Sequence, residues 1–182
     1  MMVSRRRFIG TAFVGFAAAA LPGCGYSLAG RGSFLPSYIR RIGVPPFVNN
    51  TRVFDVERRI TQRVISELIG RGRYTVLPER TGVDAVLAGE ISTITLSPVA
   101  FNQQQQATRY DLILIAKIEF TDLKTNKPLW SNPSMQFREQ FDVTNASSVL
   151  DPNAFLGQDV NALERVATEF ARAVVSAILE AF

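Results

Sequence analysis

The chain has 182 residues, 20 of them basic and 16 acidic, with one cysteine and no histidine. Without histidine the usual general base and zinc ligand are missing, and a single thiol allows neither an internal disulfide nor a Cys–His pair. No close acidic pair stands beside a glycine-rich or aromatic loop, and no dinucleotide, phosphate-loop or H-E-x-x-H pattern occurs, so the expectation is a protein that is not an enzyme and uses no cofactor or metal.

The first 23 residues read as a leader. Arg5, Arg6 and Arg7 are followed by an uncharged run from Phe8 to Leu21, the layout of an export signal. As a helix that run spans about 21 Å at about 1.5 Å per residue, short of the ~30 Å of a bilayer core, which argues against a permanent span. Ser4-Arg5-Arg6-Arg7-Phe8 resembles a twin-arginine signal; the alternative is an ordinary secretory leader with three arginines. Both take the chain out of the cytoplasm. Leu21-Pro22-Gly23-Cys24 resembles the bacterial lipobox, with Pro22 where a small residue is usual. Cys24 is therefore expected to become the first residue of the mature chain, carrying a diacylglycerol and an N-acyl lipid such as palmitate. The alternative for this side chain is a small buried hydrophobe. Each buried methylene contributes ~0.8 kcal/mol, so three acyl chains would hold the domain to a membrane. Gly25 stands where an aspartate would suggest inner-membrane retention in enteric bacteria, and by that analogy the outer membrane is implied.

Three of the basic residues belong to the leader, which leaves seventeen against sixteen acidic ones in the mature chain. They are unevenly spread: Arg31 to Arg80 holds ten basic and four acidic residues, whereas Thr81 to Phe182 holds seven and twelve. Such asymmetry suggests an oriented contact with something anionic, or simply two solvated faces. An exported chain with near-balanced charge and no interleaved basic and aromatic surface is not expected to bind nucleic acid.

Residues 24–38, rich in glycine and serine, read as a flexible tether, and 39–182 as one domain. Ile39 to Val44 is a first strand stopped by Pro45-Pro46, and Asn49-Asn50-Thr51 a turn. From Phe54 to Ile69 the residues Val56, Ile60, Val64, Ile65 and Leu68 recur at helical spacing, with Asp55 and Glu57 in the first turn and Gly70 at the end. Arg73 to Leu77 is a short strand. A longer one runs from Ala85 to about Leu96, and its apolar side changes parity between Leu87/Ile91 and Ile94/Leu96, which a bulge near Ser92-Thr93 would reconcile. Pro98 to Thr108 reads as a loop with a polar glutamine tip. Arg109 to Leu123 follows, with Tyr110, Leu112, Leu114, Ala116, Ile118 and Phe120 on one side, as expected at or near the sheet centre. After a turn at 124–128, Leu129-Trp130 opens a last strand in which Met135, Phe137, Phe141 and Val143 alternate with polar residues. Asp151-Pro152 marks a helix start, with Gly157 breaking or delaying it and Asp159 as a second candidate cap. An apolar stripe from Val160 to Leu179 completes that helix. The expected architecture is α+β: a two-layer sandwich with two helices on one face of a mixed, mainly antiparallel sheet of four to five strands.

Cys24-Gly25-Tyr26-Ser27-Leu28, Leu35-Pro36, the strand Ile39 to Pro45, the helix Val56 to Ile69, Asp84-Ala85-Val86-Leu87-Ala88-Gly89-Glu90-Ile91 and Leu129-Trp130, in that order, resemble the LptE family of lipopolysaccharide-assembly lipoproteins. The resemblance implies a lipid-anchored protein on the periplasmic face of the outer membrane. There it would plug and help assemble an LptD-like β-barrel and assist lipopolysaccharide on its way to the cell surface. Basic residues near the loops would suit the lipid's phosphates, and Arg109, Lys124 and Lys127 are the candidates, although none sits at a motif position. The stretch from Val44-Pro45-Pro46-Phe47 to Ile91 also resembles CsgG-like and LpoB-like lipoproteins, which act as secretion modules or cell-wall-synthase activators. The chain has little room for the membrane-spanning hairpins of a secretion pore.

Overall fold

The computed structural model describes residues 35–71, 73–142, 155–156 and 160–182. Cys24 and the leader lie outside these, as does the expected helix start at Asp151-Pro152 with Gly157 and Asp159. The described elements are β1 (Arg41–Gly43), β2 (Val48–Asn49), α1 (Val56–Gly70), β3 (Thr75–Leu77), β4 (Ala85–Phe101), β5 (Ala107–Asp122), β6 (Lys127–Asp142) and α2 (Val160–Leu179). They form two helices on a mixed sheet in the order β3-β1-β4-β5-β6, with β2 beside a farther part of β4. The α+β two-layer arrangement is as expected, with one short strand more than four to five.

That extra strand arises at Val48–Asn49, which pairs in parallel with Glu90 and Ile91 where the sequence suggests only a turn at Asn49. Two residues leave no periodicity to detect. β1 is parallel to both β3 and β4, while β4, β5 and β6 form an antiparallel meander. The parity change in β4 is met by a bulge: Ile91 faces Ala116 and Thr93 faces Ile115, so Ser92 is the extra residue, and its hydroxyl donates to the Ile115 carbonyl at 3.0 Å. Ile91, Ile94 and Leu96 are thereby all buried.

Two boundaries differ from the sequence reading for one physical reason. The expected loop at Pro98 to Thr108 shrinks to residues 102–106, because β4 continues to Phe101 and β5 starts at Ala107. Likewise β6 starts at Lys127 and runs through Pro128 and Pro133. Proline cannot donate to a ladder, but β1 and β2 pair only with the first part of β4, so beyond them β4 has β5 alone as a neighbour, and β6 is an edge throughout. On an edge the missing N–H faces away from the partner strand.

The core is one apolar cluster between sheet and helices. Tyr110, Leu112, Leu114, Ala116, Ile118 and Phe120 of β5 all point into it, as do Val56, Ile60, Val64 and Leu68 of α1 and Val166, Phe170, Val174 and Ile178 of α2. Each such large side chain contributes ~1.5–3 kcal/mol relative to exposure, which is how a chain without disulfides is held together. Leu35 is also buried in this cluster, so packing begins inside the stretch read as tether. The helices run parallel to one another: Arg59 meets Glu164 and Arg71 meets Ser176, each pair 105 residues apart. Asp55, just before α1, has φ of 66° in the left-handed region and does not cap the helix with its side chain. Its carboxylate is held instead by Arg58 at 2.7 Å and by Arg59.

Candidate functional site

The topology gathers the start of β1, the start of β4, the end of β5 and the start of β6 at one end of the sheet, since Ile42 pairs with Ala85, Ala85 with Asp122, and Asp122 with Lys127. The chain enters the domain here. Asp122 has the parity of the buried side of β5 and is only 1% exposed, so its carboxylate needs donors. It accepts from the Tyr38 hydroxyl at 2.7 Å, the Lys124 backbone N–H at 2.8 Å and the Thr125 hydroxyl at 2.8 Å. The Tyr38 hydrogen bond is the chief reason its carboxyl is held below the ordinary range, and the same bond raises the phenol of Tyr38. Asp84 acts similarly next door. Its carboxylate accepts from the backbone N–H groups of Arg40 and Arg41 at 3.0 and 2.8 Å, which lower its pKa, and its carbonyl accepts from the N–H of Leu123.

Both anions are thus turned onto backbone and hydroxyl donors, and the cations around them face outward. Lys124 and Lys127 are exposed in and beside the β5–β6 turn, where Asn126 takes a φ of 53°. The Lys124 ammonium sits 5.1 Å from the centroid of the Tyr38 ring, in cation–π range. Arg109, the third expected contact, is not part of this group. It lies thirteen residues back along β5, about 43 Å away at ~3.3 Å per residue, and donates to Asp142 at 2.7 Å. The structure therefore brings Lys124 and Lys127 together and leaves Arg109 at the far end. Sequence reasoning missed Tyr38, Asp84 and Asp122. The one available signal was a charged Asp122 at an apolar-side position of a regular strand.

Another cluster of charges, between the two helices, is internally matched. Glu164 of α2 lies between Arg59, at 3.3 Å, and Arg63. These residues, with Gln62, Ile65 and Ser66, line an open hollow of about 400 Å³ beside α1. A smaller hollow of about 150 Å³, lined in part by Glu90, Lys117 and Glu119, lies below the ~300–1,000 Å³ of ordinary small-molecule sites. Among the described residues no cluster of acids could hold a metal ion, and no helix is long and apolar enough to cross a membrane.

The protein is thus a two-layer α+β domain with hydrogen-bonded carboxylates and exposed cations gathered at one end of its sheet. The chain belongs to the LptE lipopolysaccharide-assembly family, whose model matches residues 39–178. It is thus a non-enzymatic lipopolysaccharide-assembly lipoprotein. No curated protein matches it in sequence. Among solved structures, a protein from Xanthomonas campestris is similar at 12% identity and a TM-score of 0.50, covering 81% of this chain and 90% of its own. A hypothetical protein from Chlamydia trachomatis is similar at 8% identity and a TM-score of 0.50, over 77% and 95%. The rare lipoprotein B from Shewanella oneidensis shares 13% identity at a TM-score of 0.43, over 76% and 96%. For the Xanthomonas and Chlamydia proteins, at these identities, the likeness concerns the fold alone.

Proposed function

We propose that this protein is an outer-membrane lipoprotein, anchored on the periplasmic face through acylated Cys24 after loss of residues 1–23, that plugs an LptD-like β-barrel and helps it assemble. In that position it assists lipopolysaccharide transport to the surface. The observation that carries the reading is the family match over residues 39–178, nearly the whole packed domain. The shape is compatible: β4, β5 and β6 are each 16 or 17 residues long, and their meander carries the 102–106 tip about 50 Å from the β5–β6 turn. An arm of that length suits insertion into a lumen. Arg109 stands near its tip and Lys124 and Lys127 at the opposite end, and all three remain our candidate contacts for lipopolysaccharide phosphate.

Depletion in the native bacterium tests this function. Lipopolysaccharide should accumulate at the inner membrane and the barrel should misassemble; normal surface lipopolysaccharide after complete loss would refute the proposal.

A further inference from the structure

The helices cover one face of the sheet, and of the described elements none lies on the other. Tyr110 and Leu112 point into the core, so Asp111 between them points to the open side, yet it is only 9% exposed. Its cross-strand neighbours there are Ser97 of β4 and Gln140 of β6. One carboxylate oxygen, Oδ2, stands 3.9 Å from the Arg138 Nε, too far for a hydrogen bond, and Oδ1 is buried with no hydrogen-bond partner. Asp122 is the contrast, a buried carboxylate with three donors around it. A buried charge left without a donor weakens the isolated domain, so Asp111 calls for a donor that the described chain does not provide. Beside it the open face is pleated and even. Thr95, Ile113 and Arg138 make one row across the three strands, and Thr93, Ile115 and Gln136 the next.

We infer that this open face of the meander is the side that lies against the inner wall of the barrel, sheet on sheet, and that a cationic side chain of the wall reaches Asp111 Oδ1. Two observations select this occupant over lipid. The unpaired group is an anion, which repels the phosphates of lipopolysaccharide and attracts a guanidinium or ammonium group. The β-branched side chains of Thr93, Thr95, Ile113 and Ile115 stand side by side, a surface that suits packing on a second sheet about 10 Å away. The helix layer, with Glu164 closed between Arg59 and Arg63, then faces away from the wall. Contact of this kind runs along the strands and not across their ends, so it accords with insertion of the 102–106 tip into the lumen. The inference rests on the plug reading and adds to it the side of the domain that meets the barrel.

The test places a photocrosslinking amino acid in the full-length protein in the native bacterium, at Thr95 or Gln136 on the open face and at Gln62 of α1 as a control, all three exposed positions. Irradiation should join the barrel to the protein from positions 95 and 136 about tenfold more than from 62. Capture from position 62 alone, equal capture from both faces, or capture of lipopolysaccharide in place of protein at 95 and 136 overturns the inference. Asp111→Asn supplies a second arm. It removes an unpaired buried charge, so the melting temperature of the protein purified without the barrel should stay level or rise. Release of the same variant from the detergent-solubilised complex should be about tenfold faster than that of the wild type. A lower melting temperature would place the partner of Asp111 within the domain, at Arg138, and unchanged release would show that no wall cation meets it; either result overturns the inference. A complex that forms and fails these tests leaves the plug reading standing, whereas a protein that never associates with a barrel ends both.

Discussion

The ring of Phe47 occupies the space that a side chain at Gly89 would need: a Cβ at position 89 would lie 2.2 Å from Cε2 of Phe47. Phe47 is buried, and its backbone N–H donates to the Thr61 hydroxyl of α1 at 2.9 Å, so it pins the chain before β2 between β4 and α1. A glycine inside a regular strand is normally a weakness, and here it is the seat of an aromatic side chain.

Gly89→Ala should therefore destabilise the domain by about 1–3 kcal/mol, the usual range for overpacking. Phe47→Ala should cost about 3–5 kcal/mol through the cavity it leaves. The double variant should lose less than the sum, because the alanine methyl then projects into vacated space. Urea denaturation of the four proteins checks this, and strict additivity would show that the two positions are independent.

Acid should unfold the protein through its aspartates. The carboxyls of Asp55, Asp84 and Asp122 are held below their ordinary value, chiefly by the Arg58 hydrogen bond, the Arg40 and Arg41 N–H groups and the Tyr38 hydroxyl respectively. A depressed folded pKa contributes stability that is complete above the unfolded value of about 3.9 and is lost as pH falls through the folded value. The melting temperature should thus hold down to about pH 5 and drop below about pH 4. Asp122→Asn should lower it at neutral pH and converge with the wild type in acid. Tyr38 acts at the other limb: its raised phenol contributes below about pH 10, and that contribution is lost as pH climbs through the folded value. Thermal melts across pH, with Tyr38→Phe for the alkaline limb, read both effects.

Arg109→Ala should weaken lipopolysaccharide binding with little effect on folding. Its guanidinium pairs with exposed Asp142, and surface pairs of this kind contribute ~0–1 kcal/mol. Equilibrium binding of labelled lipopolysaccharide to the two proteins, alongside their melting temperatures, separates the effects. Unchanged binding would remove Arg109 from the lipid contact.

Much of the scaffold was legible because long elements repeat their pattern. β5 shows six successive inward positions, α1 four turns of helical spacing, and the parity switch at Ile91 and Ile94 announced its bulge. What escaped was either too short for a period, as in β2, or set by who the neighbour is. Pro98 and Pro128 look like strand breakers until the topology makes their strands edges at those points. The cluster where the chain enters the domain was hard to read for a related reason: Tyr38 and Asp122 are 84 residues apart, and only the register of β1, β4 and β5 joins them. Lys124 and Lys127 were identifiable as exposed turn cations, but their separation from Arg109 follows from strand length, which sequence spacing alone does not convey.

The central claim is that the protein acts by fitting a membrane-embedded barrel, and its direct measurement is purification of the wild-type protein from native membranes in mild detergent. A stoichiometric, heat-modifiable β-barrel should accompany it, and Cys24→Ala should reduce the amount recovered from the outer membrane. Recovery of the protein alone, or with a penicillin-binding protein in place of a barrel, would contradict the account.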